Sequence, residues 1–312
     1  MAATLPTGLT REQRTVLTRL RKLSECEDII SIEKCKKIGI EVIPLGLQGR
    51  PNPTDSPFFG NFFEPLTEKF MEENPINTIG LEKRLKNYPR MLTFREYDAE
   101  AAAAATEAAA VGARSGVFVR NEWETHVCLE GISHIFYNHI FSLPRKTTFG
   151  DYGPIIVVCN WDWIEDDSPL NVVMGLGRGF TEDVGRIKML LEVTGMVLPH
   201  VIMVMQYITP DVVGNDTLRR YELAYLLNAM KLRLENGYFG KAQPQPVLMV
   251  SFTAPQHGRI LQAYIHNHTR IVVSCSQLYS FEKNETAPFE LFARWFLARP
   301  VGMEAKEPKV GD

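Results

Sequence analysis

The sequence predicts a mixed α/β protein, in which a central mixed sheet is flanked by helices and preceded by an N-terminal helical and loop-rich extension. Residues 244–297 carry three β-type runs separated by turn residues, followed by a helix that begins at Pro288. Helical periodicity recurs upstream at 117–143 and 216–236. Several strand runs are too apolar to alternate, which indicates a sheet covered on both faces.

The composition is that of an ordinary globular protein, with 45% hydrophobic and 23% charged residues among 312. The net charge of −3 provides no global basic field for nucleic acid, although a basic face remains open. Neither a secretory signal nor an apolar stretch long enough to span a membrane is evident. The cysteine count is odd and no CxxC pair occurs, which favours free thiols. We therefore expect a cytoplasmic or nuclear protein without a membrane partner.

An alanine-rich stretch at 96–113 predicts a linker or an exposed helix that separates residues 1–95 from a main α/β domain at 114–300. Residues 301–312 form a polar tail. The first segment opens with a predicted helix at 10–24, capped by Thr10 and Gln13. Its loop at 46–65 holds four aromatic residues that need cover from the domain itself or from a protein partner; these are Phe58, Phe59, Phe62 and Phe63.

The main domain is predicted to begin with a helix at 117–143, capped by Asn121. Buried strands follow at 154–164 and 170–174, then a helix, a strand and a second helix at 182–193, 197–208 and 216–236. Strands at 247–252, 258–265 and 270–275 precede the closing helix. Polar residues of the hairpin at 257–268, including Arg259, are expected at the surface.

Three constellations are candidates for chemistry. The first is a glycine-rich turn between a predicted strand and a predicted helix, which would offer backbone N–H groups to a phosphate. The alternative is that the glycines are there only because the chain turns sharply at this junction. Its residues are Gly175, Gly177, Arg178 and Gly179. Phe180 stands where the dinucleotide-binding fingerprint has its third glycine. The Gly-Lys-Ser/Thr sequence of a P-loop does not follow.

The second constellation is a ladder of His126, Glu130 and His134 at four-residue spacing on the predicted helix 117–143. Imidazole and carboxylate groups are metal ligands, but half-exposed polar residues of an amphipathic helix give the same pattern. The third is an acidic run after the strand at 154–164, in which Asp162, Asp166 and Asp167 are candidate Mg²⁺ ligands. An acidic turn at a sheet edge is the favoured interpretation of this run.

The order of elements from 117 to 253 resembles the PD-(D/E)XK nuclease-like fold, in the divergent form found in fungi. NEWETHVCLEGISHIF is similar to its leading helix, with Glu122 or Glu124 as the early glutamate, and RRYELAYLLNAMKLRL is similar to its crossover helix. The resemblance implies a metal-binding aspartate, here Asp166 or Asp167, and an E-x-K strand. That strand carries Val204 and Gln206 where glutamate and lysine belong, which implies a degenerate, non-cleaving member.

We therefore expect a non-cleaving nuclease-like interaction protein with a protein partner. The net charge does not support nucleic acid as the partner, and the oligomeric state stays open. The alternatives are an enzyme or accessory protein that binds a phosphate-containing ligand at 175–180, and a structural or assembly protein.

Overall fold

The computed structural model describes residues 8–48, 61–115, 121–164, 184–207, 209–236, 239 and 244–303. The helices in these ranges are α1 Arg11–Ser24, α2 Ile32–Lys37, α3 Glu68–Glu73, α4 Thr78–Asn87, α5 Ala99–Arg114, α6 Thr125–Phe141, α7 Arg220–Asn236 and α8 Phe289–Phe296. The strands are β1 Ile29–Ser31, β2 Ile40–Pro44, β3 Phe63–Glu64, β4 Arg145–Thr147, β5 Gly150–Gly153, β6 Trp161–Trp163, β7 Gly185–Val193, β8 Val201–Tyr207, β9 Thr217–Arg219, β10 Val247–Thr253, β11 His257–Asn267, β12 Arg270–Cys275, β13 Tyr279–Ser280 and β14 Arg299–Pro300.

A mixed sheet of eight strands lies at the centre of the described fold. Its order is β2-β12-β11-β10-β8-β7-β6, and β13 also pairs with β11. β8 runs parallel to β10 and β2 runs parallel to β12, whereas the other neighbours are antiparallel. Helix α7 lies between β8 and β10 in the chain and supplies the crossover that a parallel pair needs. The predicted central mixed sheet flanked by helices is confirmed.

Apolar side chains pack on both faces of this sheet. On one face, Met203 of β8 clusters with Leu226 of α7 and with residues of α1. On the other face, Val204 of β8 clusters with Phe136 of α6 and Trp295 of α8. All seven residues of β10 are buried, which explains why this strand does not alternate in hydrophobicity. The three strands predicted at 247–275 are confirmed as β10, β11 and β12.

The N-terminal segment contributes two elements to this arrangement. Strand β2 forms the edge of the large sheet beside β12, and α1 packs along α7. The predicted capping box of α1 is confirmed: the Gln13 backbone N–H donates to Thr10 Oγ1 at 3.2 Å, and the Thr10 N–H donates to Gln13 Oε1 at 2.9 Å. Two of the donors left open at the start of a helix are thereby satisfied.

Part of the aromatic loop at 46–65 is covered by the protein itself. Phe63 is buried, and its ring lies 5.2 Å from the ring of His200. The ring of Phe62 lies 4.8 Å from the ring of Tyr264. Phe58 and Phe59 lie outside the described residues, so the expectation of a partner there stays a prediction.

The helix predicted at 182–193 is wrong, because residues 185–193 form strand β7. Its sequence, GRIKMLLEV, is rich in helix formers, but pairing with β6 and β8 on both sides overrides that propensity. The strand predicted at 154–164 is also wrong in its first half. Ile155–Val158 is a 3₁₀ turn packed against α6, and only Trp161–Trp163 joins the sheet as β6.

The start of the helix predicted at 117–143 differs as well. Helix α6 begins at Thr125, and Asn121 instead accepts a hydrogen bond from the Trp123 N–H at 2.9 Å. The predicted Asn121 cap is therefore wrong. The alanine-rich stretch forms helix α5, most of which is exposed. In the part of the chain that the structure describes, no helix is both long and apolar enough to cross a bilayer.

One buried histidine, His200, and one half-buried histidine, His139, make the stability of this fold sensitive to acid. His200 donates from Nε2 to the Val301 carbonyl oxygen at 3.1 Å, and the ring of His139 stacks on Phe289 at 5.1 Å. Burial lowers the pKa of each imidazole to about 4, against an ordinary value of about 6.5. The unfolded chain therefore binds protons as the pH falls below about 6.5, while the folded chain does not until about pH 4.

We expect each of these histidines to lower the free energy of unfolding by roughly 2 kcal/mol between pH 7 and pH 5. Urea unfolding at both pH values measures the effect. His200→Gln keeps a donor for Val301 and should reduce the pH dependence, whereas His268→Gln removes an exposed imidazole and should not. Equal pH dependence in the wild type and in His200→Gln would contradict the prediction.

Candidate anion-binding groove

A surface groove of about 570 Å³ lies between α6 and the strands β7 and β8. Helix α6 forms one wall with His126, Glu130 and His134, which lie at four-residue spacing along one side of the helix. The other wall consists of Arg186 and Lys188 of β7, together with Gln206 of β8. The histidine ladder recognised in the sequence therefore faces two cations that lie more than fifty residues further along the chain.

Arg186 and Lys188 are two residues apart in β7, so the alternation of a strand places both on the side of the sheet that faces α6. Arg186 stands opposite Gln206 in the register with β8, but between Ile187 and Met189 the register shifts by one residue. The extra residue is Lys188. Bulges redirect side chains in this way because two residues oppose one on the neighbouring strand. Lys188 points toward α6, and the bulge brings the next residue, Met189, onto the same face.

The lysine binds the single carboxylate of the ladder. Lys188 Nζ lies 2.8 Å from Glu130 Oε2 and 3.0 Å from Glu130 Oε1. The side chain of Lys188 is 28% exposed and that of Glu130 is 59% exposed, so the pair borders on solvent. A pair at this level of exposure contributes at most about 1 kcal/mol to stability. Its main effect is to hold both groups in place and to neutralise Glu130, the acidic residue among the described residues of the groove wall.

Gln206 forms the floor of the groove and is 3% exposed. Its Nε2 donates to the His126 carbonyl oxygen at 3.0 Å, which fixes the first turn of α6 against β8. Its Oε1 is buried and has no donor among the described residues. A buried acceptor without a partner is costly, so this oxygen favours a ligand that brings an N–H or O–H group.

Arg186, Lys188 and Glu130 are the charged residues among those described as lining the groove, and they leave one positive charge in excess. Arg186 is exposed, and no carboxylate of the described residues lies within ion-pair distance of it. His126 Nδ1 lies 3.2 Å from Glu124 Oε2 at the end of the groove. One arginine, one lysine and two histidines thus surround a carboxylate that is already paired. Such a set of donors fits an anion better than a cation.

The ladder itself does not form a metal centre. No group of three or more His, Cys, Asp or Glu side chains with metal-binding geometry occurs in the described ranges. Four residues of helix rise separate successive ladder positions by about 6 Å, which is too far for three of them to share one ion. A metal site at this face would need ligands from outside the described residues.

Asp162, the described residue of the acidic run, and the ladder lie on opposite sides of the sheet. Asp162 of β6 stands opposite Glu192 of β7, and Glu192 binds Arg233 of α7 at 2.9 Å. Directly opposed residues of antiparallel strands share a face, so Asp162 lies on the α7 side. The groove lies on the α6 side. The other two candidate ligands, Asp166 and Asp167, fall outside the described residues, as does the whole glycine-rich turn of Gly175, Gly177, Arg178 and Gly179.

The two positions named by the nuclease-like resemblance lie on the side of β8 that faces α6. Val204 is buried in the core beneath α6, and Gln206 lines the groove. Sequence reasoning missed Arg186 and Lys188 because it predicted a helix over 182–193. The alternating pair of cations within an apolar run is the signal that would have indicated a strand with one polar face.

Comparison with family models, with curated proteins and with solved structures finds no match for this chain. Its function must therefore be argued from the groove itself.

Proposed function

We propose that this chain is a non-cleaving nuclease-like protein that binds nucleic acid through phosphate groups in the α6 groove. The observation that carries the proposal is the placement of Arg186 and Lys188 opposite His126 and His134, around one paired carboxylate. An arginine without a carboxylate partner can bind two phosphate oxygens through its planar guanidinium group. The overall charge of −3 then matters less than the local charge, since screening limits electrostatic attraction to about 10 Å.

The expected absence of cleavage rests on the residues at the two positions of β8 that the resemblance names. Metal-assisted phosphodiester hydrolysis needs carboxylates to hold the ion and a cation to stabilise the developing charge. Val204 is apolar and Gln206 is neutral at the two positions where the resemblance predicts glutamate and lysine. Lys188 supplies a cation from the neighbouring strand, but Glu130 is the one carboxylate that lines the described groove, and it is occupied by that lysine.

Replacing Arg186 with glutamine tests the proposal. We expect Arg186→Gln to weaken binding of a short labelled oligonucleotide by about tenfold or more, the cost of one charge-assisted hydrogen bond. The salt dependence of binding should also decrease by about one counterion. Fluorescence anisotropy over a series of salt concentrations measures both quantities. Lys36→Gln removes an exposed cation from α2, outside the groove, and is the matched control.

For a second variant, Glu130→Gln, we expect the affinity for the oligonucleotide to change in the opposite direction. Glu130→Gln releases Lys188 and removes the negative charge of the groove wall, so affinity should rise relative to the wild type. If Arg186→Gln and Lys36→Gln bind equally well, or if Glu130→Gln loses affinity, the α6 groove is not the phosphate site.

Incubation with Mg²⁺ or Mn²⁺ tests the absence of cleavage. We expect the oligonucleotide to stay intact. Cleavage that is lost in Asp167→Ala would overturn the non-cleaving part of the proposal and would identify the acidic run as a functional metal site.

A further inference from the structure

A second cavity, of about 690 Å³, adjoins the groove along α6. His134 lines both cavities, and Asn138 and Ser142 continue the same four-residue row into the second one. The row from 126 to 142 covers about 24 Å of helix rise. The opposite wall of the second cavity is the end of α4 and the segment after it, which contribute Arg84, Tyr88 and Arg90. The two cavities, together called the trough, therefore lie side by side along α6 and share His134.

The Tyr88 segment is held rigidly while its aromatic ring stays open to solvent. The Tyr88 N–H donates to the Arg84 carbonyl oxygen at 2.8 Å, and the Met91 N–H donates to the Tyr88 carbonyl oxygen at 3.1 Å. Asn138 Nδ2 donates to the Met91 carbonyl oxygen at 2.8 Å, which ties the segment to α6. Arg84 donates to the Ser142 carbonyl oxygen. Nevertheless the side chain of Tyr88 is 67% exposed.

We infer that the second cavity takes an unpaired base on Tyr88, so that the ligand of the trough is single-stranded nucleic acid. This inference rests on the proposed phosphate site. An exposed aromatic ring on an anchored backbone, beside the cations Arg84 and Arg90, combines the two features that bind single strands: a flat surface for stacking and positive charge along the nucleic-acid backbone. In a duplex the bases are already stacked on each other, and the ring of Tyr88 has no base face to contact.

The trough also supplies polar groups that suit a base or a sugar. The exposed side chain of Asn87 lies at the rim of the second cavity and offers both a donor and an acceptor. Because tyrosine stacks on every base, the recognition is expected to tolerate different sequences.

Removal of the aromatic ring tests the inference. We expect Tyr88→Ala to weaken binding of a single-stranded oligonucleotide by roughly fivefold to a hundredfold, the range for loss of one base–aromatic stack. Tyr88→Phe should bind as the wild type does. With the matching duplex, Tyr88→Ala should bind as tightly as the wild type. The same should hold for an oligonucleotide of abasic sites, which keeps the phosphates but lacks the bases. Phe149→Ala removes another exposed ring, from the turn between β4 and β5, and should have no effect.

The outcomes separate the inference from the function on which it rests. If Arg186→Gln leaves binding unchanged, the phosphate site itself is wrong. If Arg186→Gln weakens binding but Tyr88→Ala affects single strand, duplex and abasic strand alike, or affects none of them, the base site is wrong and the phosphate site stands. Tyr88 is exposed, so an unchanged melting temperature of Tyr88→Ala will show that the fold is intact.

Discussion

Replacing Glu222 with alanine is expected to lower the free energy of unfolding by about 3–5 kcal/mol, the cost of leaving one partner of a buried ion pair alone. Glu222 lies in the first turn of α7 and is 0% exposed. Arg259 of β11 donates from Nε to Glu222 Oε1 at 2.9 Å and from Nη2 to Oε2. The Arg219 N–H donates to Oε2 at 2.8 Å. The carboxylate thereby joins α7 to two strands.

The electrostatics explain why the loss is large. Burial alone favours the neutral carboxyl group, but Arg259 and the hydrogen bonds outweigh burial and hold the pKa of Glu222 below its ordinary value. Without Glu222, the fully buried guanidinium of Arg259 still donates from Nη1 to the Thr217 carbonyl oxygen at 2.7 Å, but it loses its carboxylate partner. An unpaired charge in the interior costs several kcal/mol, a large part of the 5–15 kcal/mol that stabilises a typical protein.

Urea unfolding at neutral pH measures this effect, with Glu235→Ala as the control. Glu235 lies on the same helix, 3.6 Å from Lys231, in a pair that borders on solvent, so its loss should cost no more than about 0.5 kcal/mol. The double variant Glu222→Leu/Arg259→Met removes both charges and should be more stable than Glu222→Ala. Equal destabilisation by Glu222→Ala and Glu235→Ala would show that the buried pair does not stabilise the fold.

The central strands could be predicted because their sequence pattern agrees with their position in the fold. In β10, apolar residues fill every position, proline precedes the run, and burial on both faces makes those residues favourable. Arg259 shows the limit of such reasoning. Its sequence position within a polar hairpin indicated the surface, whereas β11 lies in the middle of the sheet and turns this residue toward Glu222. A buried charge is recognisable only when its partner is known, and that partner comes from α7.

The groove could be predicted only in part, for the same reason. Four-residue spacing identified the wall formed by His126, Glu130 and His134, because helical periodicity is a local property. The opposite wall depends on the register between β7 and β8 and on the bulge at Lys188. Lys188 and Glu130 are 58 residues apart, and no local pattern brings them together. The bulge also disrupts the alternation of β7 after Lys188, so the two-residue spacing of Arg186 and Lys188 is a short signal in a run rich in helix formers.

Replacing Phe252 with alanine is the second change with a large expected effect. Phe252 of β10 is fully buried, and its ring contacts Phe136 of α6 at 5.6 Å, Phe281 at 5.3 Å and Phe292 of α8 at 6.3 Å between ring centroids. Truncation leaves a cavity among three rings, which costs about 3–5 kcal/mol for Phe→Ala. Phe136 lies two residues from His134, so the loss of its partner should also loosen α6 over the groove.

Phe281→Ala separates the effect on stability from the effect on binding. Phe281 is also fully buried and contacts Phe252 and the rings of α8, at 5.1 Å from Phe289 and 4.9 Å from Phe292. We expect both variants to lose stability in urea, but only Phe252→Ala to weaken oligonucleotide binding, measured at a temperature where both stay folded. If both variants bind as the wild type does, the position of α6 does not control the groove. If both lose affinity equally, the effect comes from general loosening of the core, and the contact between Phe252 and Phe136 has no special role.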